Sequence, residues 1–259
     1  MTSASTNRRR ALIAAAGVSV AALALAGCTA GGGGDSTEAA GGSITIGTTD
    51  KVTTLDPAGS YDNGSLAVQT QVFPYLLNTD YQSTDVVPDL AESAEFTSPT
   101  EYTVTLPEGL KWANGNDLTS SDVKFSFDRN IAIADPNGAS SLLYNLDSVE
   151  APDETTVVFH LKSGNDQVFP QILSSPAGPI VDEDVFSPTE LTPDQDIVDG
   201  KAFHGQYTIT NYDLNNLVSY KAYPDYQGLL GAPKTDKINV KYYAEASNLK
   251  LDIQEGNID

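Results

Sequence analysis

Few side chains in this chain could do covalent chemistry. Its 259 residues hold one cysteine, Cys28, and two histidines, His160 and His204. A nucleophilic site needs a Ser or Cys within reach of a positioned imidazole. In Val157-Val158-Phe159-His160-Leu161, strand alternation sets Val157, Phe159 and Leu161 on one face and His160 on the other, which suits a surface histidine better than a base. One cysteine cannot supply the Cys/His spacing of a zinc site. Asp194, Asp196 and Asp199 only partly follow a calcium loop, because the third carboxylate falls one place late and no Glu stands at the twelfth position. That run is expected to be a solvated acidic loop. No catalytic group, metal or cofactor is expected.

The position of the cysteine is more informative. Arg8, Arg9 and Arg10 form a basic start, and residues 11–27 carry no charge and are mostly Ala, Leu and Val. Seventeen such residues are marginal for a spanning helix, which needs about 20. The run ends Leu25-Ala26-Gly27-Cys28, which resembles a bacterial lipobox. Small residues before the cysteine admit a peptidase, and the thiol supplies the nucleophile for a thioether to a diacylglycerol. The reading is a signal peptide at 1–27, lipid attachment at Cys28 and a location on the outer face of the cell membrane. A cleaved signal with an incidental cysteine and an uncleaved anchor are the alternatives. The two export routes, general secretory and twin-arginine, stay open. Residues 28–42 are rich in Gly and read as a flexible tether. Without a second cysteine the folded part, from about Ser43, is held by packing alone.

The formal charge is −21, with 14 Lys and Arg against 35 Asp and Glu. A phosphate backbone needs cations in number, so nucleic acid is not an expected partner.

Ser43–Thr48 alternates and is β-branched, so it reads as a strand. Val68, Val72, Phe73, Leu76 and Leu77 share a helical face, and Pro74 predicts that the regular helix ends near Val72 or Phe73. Strands are expected at 94–98 and 101–106, and in an antiparallel pair around Pro152-Asp153-Glu154. Three more are expected at "QYTITNY", "NLVSYKAY" and "KINVKYY". Thr119 and Asp122 fit a capping box, and Val123, Phe127 and Ile131 then share one face of a helix. Phe125 projects elsewhere and requires a second surface to cover it. A last helix starts near Glu245, with Leu249 and Ile253 toward the core and Gly256 just past its end. Mixed elements with strands mainly in antiparallel pairs indicate an α+β fold. No repeat is present.

Residues 86–129 resemble the hallmark region of extracellular solute-binding protein family 5, the receptors of peptide-type ABC importers. The matching residues are Pro88-Asp89-Leu90-Ala91-Glu92, Tyr102–Leu106, Gly109, Trp112, Gly115, Asp122-Val123 and Arg129. Upstream stands Thr54-Leu55-Asp56-Pro57. Downstream stand Tyr207-Thr208-Ile209, Tyr226, Lys237-Ile238 and Gly256-Asn257-Ile258-Asp259. Where the family usually carries a Gly-Thr-Gly-Pro-Tyr-like segment, this chain has Phe203-His204-Gly205-Gln206-Tyr207.

The resemblance implies a bilobal receptor of the periplasmic-binding type, type II and of the large peptide-binding class. Residues 43–60 and 171–259 would form the first lobe, still incomplete, and 61–170 an inserted subdomain. The second lobe would be absent, since family members are commonly about twice this length. Such a protein does no chemistry. It binds a small solute or peptide as a monomer and delivers it to an ABC permease in the membrane. Ligand-cleft candidates are Tyr61, His204, Gly205 and Tyr207, whereas Trp112 is expected to pack. The ligand could instead be a metal chelate or an oligosaccharide. Other readings are a surface lipoprotein that senses or adheres without transport, and a secreted hydrolase whose catalytic groups lie in the absent half.

Overall fold

The computed structural model describes residues 41–259, which build two apolar cores with one helix between them. The first core lies on a sheet ordered β4-β5-β7-β6, with β4 at Ser93–Ser98, β5 at Glu101–Thr105, β6 at Leu146–Glu150 and β7 at Thr156–Leu161. All neighbours in it are antiparallel. Alternation directs Tyr102 and Val104 of β5 inward beside Phe159 and Val157 of β7, which face them across the strands. Asp153 forms the β6–β7 turn by accepting the backbone N–H groups of Thr155 and Thr156.

The second core lies on a sheet ordered β1-β10-β9-β8, with β1 at Ser43–Thr48, β8 at Tyr207–Asp213, β9 at Leu217–Ala222 and β10 at Lys237–Tyr242. β10, β9 and β8 are antiparallel neighbours, while β1 runs parallel to β10 from Ser43 opposite Lys237 to Thr48 opposite Tyr242. Helix α1, Asn63–Val72, packs Val68 and Val72 into this core and ends where Pro74 requires it. A short hairpin of β2, Leu77–Thr79, and β3, Val86–Pro88, has no strand signal in the sequence beyond its valines.

Helix α2, Ser120–Ile133, is the joint. It opens on the expected capping box, Thr119 with Asp122. Val123 and Phe127 enter the first core, and Phe125 meets the second, which is the separate surface its position demanded. Ile131 departs from expectation and is 42 % exposed, because the first core ends one turn before it.

Two further expectations are corrected. The acidic run is helix α4, Asp194–Asp199, rather than a loop, with Ile197 fully buried; Asp194 turns inward to bond Thr54, Leu55 and Tyr212, while Asp196 and Asp199 stay exposed to solvent as expected. Helix α5, Ala246–Glu255, buries none of its residues, and Ile253 is 52 % exposed rather than core-facing. Its end at Gly256 is as expected, with φ +73. A short helix α3, Phe169–Leu173, carries Phe169 and Leu173 into the first core. Among the described residues no helix is long and apolar enough to cross a membrane.

Candidate functional site

The chain leaves β1 at Thr48 and crosses to α1 through residues 49–62, a loop fixed by polar groups from distant elements. The Asn215 amide accepts from Val52 N–H at 2.8 Å and donates to Val52 C=O at 3.1 Å, satisfying both backbone groups of Val52. Asp194 accepts from Leu55 N–H and the Thr54 hydroxyl, both at 2.8 Å, and from the Tyr212 hydroxyl at 2.6 Å. Gln69, on α1, donates to Ser60 Oγ at 2.6 Å and to Leu55 C=O at 3.3 Å. Asp62 caps α1 through Ser65 N–H and accepts from the Thr53 hydroxyl.

Asp56 is the buried centre of this loop. Its carboxylate takes Nη1 and Nη2 of Arg129, each at 2.8 Å, together with the N–H groups of Ala58 at 2.9 Å and Thr192 at 2.8 Å. The two side chains are 0 % and 2 % exposed. A bidentate pair with its remaining lone pairs filled is the geometry in which a buried charge is tolerated.

The product of this bracing is an open groove of about 680 Å³ beside Tyr61, whose ring is 52 % exposed. One wall is Thr53, Thr54, Gly59, Tyr61 and Asp62. The second is residues 135–138, which follow α2, and Leu191 closes the third side. Gly138 lies so close to the turn at 57–59 that a Cβ there would stand 2.1 Å from Ala58 O. Tyr61, Pro136 and Leu191 offer apolar surface, while Asp62 and Asp135 offer carboxylates suited to an ammonium or guanidinium group.

The other candidate residues lie elsewhere. His204 is 1 % exposed, with Nδ1 bonded to Lys111 C=O at 2.7 Å and its ring edge-on to Trp112 and Tyr223. Burial holds this imidazole below its ordinary pKa, and Nδ1–H is the donor because a carbonyl oxygen can only accept. Gly205 passes over the end of α1, where a Cβ would meet Gln71 O at 2.3 Å. Tyr207 is buried and donates its hydroxyl to Thr235 C=O at 3.2 Å. His204 and Gly205 hold the segment before β8 against the end of α1, both backbone N–H groups donating to Val72 C=O, and of the four candidates only Tyr61 lines the groove. Trp112 is buried as expected, with Nε1 donating to Asp122 at 3.3 Å. Cys28 lies outside the described residues.

Sequence reasoning missed the pairing of Asp56 with Arg129, although both stand in recognised motifs. The available signal was the spacing of Arg129 from Asp122 and Ser126, which sets it on a buried side of α2 where an arginine needs a carboxylate partner. It also missed Asp194 and Asn215, whose targets lie far away in sequence and follow no spacing rule.

The family described as "Bacterial extracellular solute-binding proteins, family 5 Middle" matches residues 85–259. The probable D,D-dipeptide-binding periplasmic protein DdpA of Escherichia coli (strain K12) is 28 % identical over 212 residues, 80 % of this chain and 40 % of its own length. A putative ABC transporter peptide-binding protein of Brucella ovis is 30 % identical over 189 residues, 72 % of this chain and 35 % of its own. Among solved structures, the ABC transporter substrate-binding protein CtaP of Listeria monocytogenes superposes with a TM-score of 0.69 at 26 % identity, over 85 % of this chain and 44 % of that one. The oligopeptide-binding protein AppA of Bacillus subtilis, in complex with a nonapeptide, gives 0.70 at 22 % over 84 % and 43 %. The chain thus spans about 40 % of the length of the curated relative DdpA.

Proposed function

The chain belongs to the bacterial extracellular solute-binding proteins of family 5 and has the type II periplasmic-binding fold, of which it covers part of a lobe; from that premise we propose that it is the receptor component of an ABC importer for peptides. The supporting observation is the family match over 85–259, together with relatives whose names give peptide binding. In this reading residues 43–60 and 171–259 form the first lobe, with α1 packed on its core, and 61–170 form the inserted subdomain. A second lobe would close over the ligand and exclude water. The Tyr61 groove is the part of the ligand face carried by this lobe.

Cys28 is the proposed lipid attachment site, holding the receptor on the outer face of the membrane near its permease partner. Labelling with a radioactive fatty acid, lost in Cys28→Ala, tests the anchor. A thermal-shift screen of the full gene product against peptide libraries, sugars and metal chelates tests the ligand class. A stabilising response to peptides supports import of peptides. A response to sugars or chelates alone moves the proposal to another solute, and no response at all favours a sensing or adhesive lipoprotein.

A further inference from the structure

The walls of the Tyr61 groove come from three separate stretches, and all converge on one side chain. Arg129 donates Nη1 and Nη2 to Asp56, which anchors the loop bearing Tyr61. It donates Nε to Ser187 C=O at 2.9 Å and Nη2 to Glu190 C=O at 3.2 Å, which fixes the segment bearing Leu191. Asp56 completes that link by accepting Thr192 N–H. The third wall grows directly from the helix that carries Arg129, turning at Ala134 in the left-handed region with φ +46. The guanidinium plane lies over Phe186 at 5.3 Å, which holds its orientation.

We propose that Arg129 and Asp56 are a positioning pair that presets the shape of the groove, so that this lobe meets its ligand with the three walls already in register. The proposal rests on the reading that the groove belongs to the ligand face. Preorganisation of this kind removes an ordering cost from binding. Neither residue touches the ligand; each acts through the backbone it holds.

The test is native-state hydrogen exchange on the unmodified gene product at increasing sub-denaturing urea. Ala58 and Thr192 amides both end on the Asp56 carboxylate, so a single opening event should release them together. Equal protection with the same urea dependence is expected. Protection differing by about tenfold or more, with different urea dependence, overturns the shared hub. The second arm uses Arg129→Lys, which keeps the charge but cannot form the fork. Amides of 53–62, 135–138 and 187–192 should then exchange about tenfold or more faster, with β5 and β7 amides unchanged as the control for folding. Binding of an equimolar tripeptide library should weaken in parallel. Loosening confined to 187–192 overturns the pair as the organiser of the groove. Loosening of all three walls with library binding unchanged overturns the groove's place in the ligand face, and with it this proposal.

Discussion

The indole N–H of Trp112 donates to the Asp122 carboxylate at 3.3 Å, inside the first core and at the start of α2. The same ring lies edge-on to His204 at 6.3 Å. One tryptophan therefore touches two buried titrating groups whose effects on stability oppose each other.

Burial pushes the Asp122 carboxyl up to about 6, against the backbone N–H groups of Thr119 and Glu183 that favour its charge. Between the ordinary value of 3.8 and about 6, the folded state holds a proton that the unfolded state has lost. Stability should therefore fall as pH rises through that window, by a total of the order of 3 kcal/mol. Asp122→Asn is expected to flatten this slope, measured by urea unfolding at pH 4, 5, 6 and 7.

Burial lowers the His204 pKa, so the unfolded state takes a proton first as pH falls below 6.5. Its contribution is present above 6.5 and is lost on acidification, the reverse of Asp122. His204→Gln should leave the Asp122 slope exposed, making the protein gain stability more steeply from pH 6.5 to 5 than the wild type. Parallel unfolding curves over that range would contradict this.

Removing one partner of the buried pair leaves an uncompensated charge. Asp56→Ala and Arg129→Met should each cost about 3–5 kcal/mol in urea unfolding. The double variant should cost less than the sum, because the second substitution removes the charge that the first strands.

Gly205 and Gly138 are among the glycines required by close approach to backbone. A Cβ at Gly205 would stand 2.3 Å from Gln71 O, and one at Gly138 would stand 2.1 Å from Ala58 O. Gly205→Ala and Gly138→Ala should each destabilise by about 1–3 kcal/mol, because carbonyls cannot yield as flexible side chains do. Gly138→Ala should also displace 135–138 from the turn at 57–59, visible as faster exchange there than in Gly205→Ala.

Regular elements were legible where one face is buried. The alternation of β5 and β7 and the capping box of α2 each carry local signals that the cores reinforce. Phe125 was informative too, since its separate face required a second surface, which the second core supplies. The acidic helix α4 was misread as a loop because counting carboxylates says nothing of the Leu55 N–H that Asp194 satisfies from 139 residues away. Leu249 and Ile253 have core spacing on α5, yet spacing fixes a face and not what covers it. The groove was legible only at Tyr61. Its braces, from Asp56 and Arg129 to Asn215, act across 73 to 163 residues of sequence, beyond any local pattern.

The most direct measurement is calorimetric titration of the full gene product and its Tyr61→Ala variant with the peptide giving the largest thermal shift. Tyr61 is half exposed and supports no other element, so the variant should melt as the wild type does, within the small range of surface changes. Its affinity should fall by about tenfold, the loss of one aromatic contact. Equal affinity in the two proteins would contradict the placement of the ligand against this groove.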